Sequence, residues 1–243
     1  MNRATMQFMS RALGRHVTYT ALLPDRSLGS GPFPVLYQLH GASDDHSGWI
    51  QYSNLARYVS QLGLITILPD GALSFWLNRS PRERYEDFVT EDLREHVVRT
   101  FHVRAGKAAI GGLSMGGFGS MYLALRHPDL FASVWSHSGA FRTRAELANL
   151  GWSEDLVRQA SVEALVEAAN AETLPVLTFD CGTEDTLING NRLLDHLLTD
   201  RGIPHAYREN PGAHTWDYWD EHVQEALLQH LETLEIGRSD LAT

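Results

Sequence analysis

The chain has 243 residues, 43% of them hydrophobic, which is enough to bury one large core in a single domain. Its formal net charge of -10 argues against nucleic acid or an anionic membrane as a partner, and its one cysteine, Cys181, excludes an internal disulfide. No apolar stretch is long enough to cross a bilayer, and no apolar leader core follows the early Arg3, so the expected location is cytoplasmic.

Short apolar runs alternate with longer amphipathic ones, with no repeat or low-complexity tract. That alternation predicts an α/β fold, a mostly parallel sheet with helices on both faces. Met6–Ser10 and His16–Leu23 read as antiparallel strands leading into it, and Pro34–His40 reads as a buried strand ending at Gly41. Ser47–Gln61 has helical spacing in Trp49, Tyr52, Leu55, Ala56 and Val59. Leu64–Pro69 is the next strand, closed by Asp70-Gly71, and Glu83–Val103 is a long amphipathic helix. Lys107–Leu113 is a strand and Met115–His127 a helix stopped by Pro128. Ala132–Ser136 and Pro175–Phe179 are strands, and Arg142–Thr173 between them is helical without a strand. The segment 142–173 reads equally as a cap over an active site or as a crossover lengthened by drift. Ile188–Arg201 is a helix ended by Gly202, His205–Glu209 the last strand, and Trp216–Leu234 the last helix.

Gly112-Leu113-Ser114-Met115-Gly116 fits G-x-S-x-G, and its setting carries the reading: a strand runs directly into it and a helix directly out. Such an elbow strains the serine backbone, and glycines at the flanking positions remove the clashes. Ser114 is the expected nucleophile. A serine hydroxyl needs a base, and in this fold the order along the chain is serine, acid, histidine. Of the histidines after Cys181, His196, His222 and His230 fall inside helices and His205 starts a strand. Only His214 sits in a loop after the last strand, where such folds place their chemistry. The acid belongs after the strand ending at Phe179. Asp185, further into the loop, is the chosen residue, with Asp180, which could cap the Gly182 turn, and Glu184 as alternatives. The backbone amides of Met115 and of Ala42 are the expected oxyanion donors, with His40 as a turn-stabilising residue. Trp49, Trp76, His137 and Trp216 are candidate pocket residues. No metal-ligand spacing appears, and the expected chemistry uses neither metal nor cofactor.

These residues resemble the esterase D family of α/β-hydrolases. The resemblance rests on Leu39-His40-Gly41 with Trp49, Leu68-Pro69-Asp70-Gly71 with Ser74–Asn78, Tyr85–Phe88 with Glu91–Leu93, and Gly111–Gly117. It ends with Asp180–Asp185 and Pro211–Trp219, and covers nearly the whole chain. It implies the α/β-hydrolase fold in one domain over 1–243, a Ser114–His214–Asp185 triad and an Ala42/Met115 oxyanion hole. It also implies a small-molecule ester substrate, and a homo-oligomer, dimer or tetramer. The function it implies is a serine carboxylesterase for short-chain acyl esters. The competing readings are a thioesterase of the S-formylglutathione hydrolase type, a feruloyl or acetyl sugar esterase, and a non-catalytic binding protein. The chain departs from the family at Trp76, where relatives tend to carry tyrosine.

Overall fold

A computed structural model describes residues 2–236. Its strands are β1 (Asn2–Ser10), β2 (Arg15–Leu23), β3 (Val35–Leu39), β4 (Ile65–Pro69), β5 (Asn78–Ser80), β6 (Glu83–Arg84), β7 (Ala108–Leu113), β8 (Phe131–His137), β9 (Val176–Gly182) and β10 (Ala206–Asn210). Eight of them form one sheet in the order β1-β2-β4-β3-β7-β8-β9-β10, and β5 and β6 form a separate hairpin. The β1–β2 and β2–β4 pairs are antiparallel and the remaining pairs of the large sheet are parallel. Every residue of β3 and β4 is buried, as parallel strands covered on both faces must be.

The helices are α1 (Gly48–Gln51), α2 (Leu55–Tyr58), α3 (Tyr85–Asp87), α4 (Arg94–Thr100), α5 (Met115–Arg126), α6 (Arg144–Asn149), α7 (Glu154–Ala160), α8 (Val162–Ala168), α9 (Ile188–Asp200) and α10 (Trp216–Thr233). Two apolar clusters share the sheet between them. One joins Trp49, Leu55, Val59, Trp219, Val223 and Leu227 of α1, α2, the turn after α2, and α10 to Leu36 and Leu113. The larger one carries α3–α9, with Phe88, Leu93, Phe118, Leu147, Leu165 and Leu194 among its members. This is the doubly covered α/β-hydrolase architecture that the alternation of apolar runs predicts.

Two expected helices differ in detail. The Ser47–Gln61 helix is broken between α1 and α2, because side chains take over its backbone bonds. Ser53 Oγ donates to the Trp49 carbonyl at 2.5 Å, and the Asn54 amide donates to the Asp220 carboxylate at 2.6 Å. The Glu83–Val103 helix starts later, at Tyr85, because Glu83 and Arg84 pair with Asn78–Ser80. It passes through a π-helical turn at Phe88–Leu93 and ends at Thr100.

That helix carries a buried charge. Glu86 accepts from Arg126 Nε at 3.0 Å and Tyr122 Oη at 2.8 Å, and lies 2.8 Å from His127 Nε2. Burial alone would raise its pKa, but the hydrogen bonds from His127, Tyr122 and Arg126 outweigh it and hold the carboxyl down at about 2. A depressed carboxyl stabilises the fold above its ordinary pKa, and that stabilisation disappears as the pH falls from about 4.5 towards 2. Glu86→Gln is therefore expected to lower the unfolding free energy at pH 7 by about 3 kcal/mol. Urea titrations of both chains at pH 7 and near pH 3 check this: the gap narrows in acid. A gap that persists unchanged there contradicts the assignment.

Candidate active site

The loops after four parallel strands meet at one edge of the sheet, at the strands' carboxyl ends. Ser114 follows β7 directly and holds φ 55° and ψ -115°, a conformation that L-residues rarely adopt. The surroundings fix it there. The Ser114 amide donates to the His137 carbonyl at 2.9 Å, and its carbonyl accepts from the Phe118 and Ala140 amides, each at 3.0 Å. The elbow also needs close backbone approach. A Cβ on Gly112 would lie 2.5 Å from the Gly116 carbonyl oxygen, and one on Gly116 would lie 2.5 Å from the Leu39 carbonyl oxygen.

His214 lies in the loop between β10 and α10, and its Nε2 is 3.0 Å from Ser114 Oγ. Its Nδ1 is 2.8 Å from Asp185 Oδ2. The ring is braced edge-on by Trp219, with centroids 4.8 Å apart. The Asp185 carboxylate is fully buried while the imidazole is 32% exposed, so the histidine is the solvent-facing member of the pair. Burial would raise the Asp185 pKa. Hydrogen bonds from His214, the Leu187 amide and Ser138 overcome that and hold it below the ordinary carboxylate range. The Leu187 amide sits 2.8 Å from Asp185 Oδ1 and fixes the carboxylate plane.

Asp180 is engaged elsewhere. It lies within β9, opposite His137 of β8 in the parallel ladder. His137 Nδ1 is 2.7 Å from its Oδ2, and Trp135 Nε1 donates to the same oxygen. At 1% exposure it is a buried ladder partner, not a cap for the Gly182 turn. Glu184 is exposed, with its amide bonded to the Gly212 carbonyl.

The His40 ring bridges two turns: Nδ1 lies 2.7 Å from the Gly41 carbonyl oxygen, and Nε2 accepts from the Gly71 amide at 2.8 Å. Burial lowers its pKa, which suits the neutral tautomer that this pair of bonds demands. His40 thus stabilises the turn carrying Ala42, as expected from its position in the sequence. Among the described residues, the amides of Ala42 and Met115 donate to no partner.

Three of the four candidate pocket residues need correcting. Trp49 is 1% exposed and donates Nε1 to the Leu39 carbonyl at 3.0 Å. Trp76 and His137 are fully buried, Trp76 lying edge-on to His40 at 5.2 Å. Side chains without accessible surface support the site from beneath and cannot touch a substrate in this conformation. Trp216 remains half-buried, edge-on at 5.3 Å to the Trp219 ring that braces His214. Neither motif nor periodicity singles out Phe75. Its backbone has φ 55°, its amide lies 3.4 Å from Met115 Sδ, and its ring meets Trp152 of the α6–α7 connection at 5.2 Å. A positive φ on a phenylalanine leaves no signal in composition or periodicity.

The family model Esterase, described as "Putative esterase", matches residues 10–230. The acetyl esterase of Caldicellulosiruptor saccharolyticus is 26% identical over 91% of this chain and 95% of its own length. A substrate-bound fluorophosphonate-binding serine hydrolase of Staphylococcus aureus superposes with a TM-score of 0.83 at 26% identity, over 95% of this chain and 98% of its own. An S-formylglutathione hydrolase of the same organism gives 0.83 at 25%, over 95% and 100%.

Proposed function

The chain belongs to the Esterase family and is a carboxylesterase, and from that premise we propose that Ser114, His214 and Asp185 hydrolyse short-chain acyl esters through an acyl-enzyme. One observation carries this reading: an unbroken hydrogen-bonded relay from Asp185 through His214 to Ser114. Asp185 accepts a hydrogen bond from Nδ1–H and keeps the proton on that nitrogen, so Nε2 is left to accept from the serine hydroxyl. Ser114 Oγ attacks the ester carbonyl as His214 takes its proton. The resulting oxyanion is met by the Ala42 and Met115 amides. His214 then protonates the departing alcohol, and water repeats the sequence to release the acid.

The helical segment 142–173 serves as a cap wall on the acyl side. Leu147, Ala160, Val162 and Leu165 anchor it in the core, while Trp152 closes against Phe75 beside Met115. A wall of two aromatics next to an oxyanion donor supports short acyl chains over long ones. A panel of 4-nitrophenyl esters from acetate to decanoate, run against S-formylglutathione, tests the reading. The expected kcat/KM is highest at two to four acyl carbons, roughly tenfold lower or more by decanoate, and lower for the thioester. Faster turnover of S-formylglutathione than of any ester would replace the carboxylesterase reading by the thioesterase one.

A further inference from the structure

Gly41 opens the turn that carries the Ala42 amide. A Cβ added there would lie 3.5 Å from Ser114 Cβ and 3.4 Å from Asp44 Oδ2. The Asp44 carboxylate therefore stands about one side chain from the attacking serine. A Cβ on Gly48 would lie 3.1 Å from Asp44 Cβ and 3.4 Å from Trp216 Cζ2, so carboxylate and indole share one wall. Trp216 leads on to Tyr52, ring centroids 5.5 Å apart, and Tyr52 is 56% exposed. Trp216 also meets Trp219 at 5.3 Å, and Trp219 braces the His214 ring at 4.8 Å, so this strip flanks the imidazole that hands its proton to the leaving alcohol.

The charge on Asp44 works against the chemistry for a neutral ester. A fixed carboxylate near the reacting carbon repels the oxyanion as it forms. Among the described residues no lysine or arginine pairs with it, and half-burial raises its pKa. The Gly41 amide reaches it, but an asparagine carbonyl would accept that bond equally well, so the turn does not require the charge. A cation placed here would be attracted by the carboxylate and by the aromatic faces together. Resting on the esterase reading, the geometry assigns Asp44, with Trp216 and Tyr52, as a leaving-group subsite that selects esters of alcohols bearing an ammonium group.

The test compares three acetate esters of similar size: acetylcholine, its neutral isostere 3,3-dimethylbutyl acetate, and anionic 3-acetoxypropane-1-sulfonate. At low ionic strength kcat/KM is expected to be about tenfold higher for the cation than for the isostere, with the anion slowest and the spread shrinking in salt. Asp44→Asn is expected to lower acetylcholine turnover about fivefold or more while raising that of the isostere about twofold. Opposite signs in one variant cannot come from a loosened fold. Equal rates for the three esters, a loss common to all three in Asp44→Asn, or a loss confined to an added acetylated-sugar arm would each overturn the assignment. Hydrolysis of 4-nitrophenyl acetate without charge preference defeats this subsite alone, whereas no hydrolysis of any ester defeats the esterase reading beneath it.

Discussion

Ser114→Ala is expected to lower kcat for 4-nitrophenyl acetate by about 10⁴- to 10⁶-fold, with His214→Ala nearly as damaging. The two losses will not add. Oγ is a nucleophile only while an imidazole 3.0 Å away can accept its proton, and among the described residues that imidazole meets no other hydroxyl. Removing either member already abolishes the step, so the double variant should match the worse single one within a few-fold. What should survive is rate enhancement from the proposed oxyanion donors, the Ala42 and Met115 amides, and from binding alone. KM should change little, because the hydroxyl contributes to the transition state far more than to ester binding. Steady-state kinetics of the three variants on one substrate decide the matter. Additive losses would mean that the two side chains act separately.

Asp185→Asn should cost about 10³- to 10⁴-fold in kcat with nearly the same fold. The carboxylate is fully buried, and one oxygen is already committed to the Leu187 amide at 2.8 Å. An asparagine keeping that bond through its carbonyl oxygen turns its NH2 toward His214 Nδ1. The ring then accepts at Nδ1 and carries its proton on Nε2, which points a donor at Ser114 where an acceptor is needed. Thermal melting and kcat are to be measured side by side. Lost activity in a chain that still melts near the parent temperature supports an orienting role. Unchanged kcat would transfer the acid's role to another carboxylate.

Much of this site could be read from the order of residues. Ser114 stood between an apolar strand and a helix, and His214 was the one late histidine in a loop after the last strand. Both are local signals, because an elbow and a strand-end loop are defined by their immediate neighbours. Choosing among Asp180, Glu184 and Asp185 could not be settled locally. Asp180 and Asp185 each meet a histidine at hydrogen-bond distance, and only the β8–β9 register shows that Asp180 belongs to His137. Whether a tryptophan lines a pocket or lies beneath it depends on tertiary packing. Trp49, Trp76 and Trp216 look alike in sequence, yet the first two are buried and the third is half-exposed. The break in the Ser47–Gln61 helix was hidden for the same reason, since Asp220, which takes the Asn54 amide, lies 166 residues away.

The central claim is that one hydroxyl, at Ser114, is activated by one imidazole, at His214. Peptide mass spectrometry after a short pulse with a fluorophosphonate tests it most directly, because the probe bonds to whichever oxygen is nucleophilic. A single phosphonylated residue, Ser114, in the parent chain and almost none in His214→Ala is the predicted result. Labelling at a different residue, or at Ser114 to the same extent without the histidine, would contradict it.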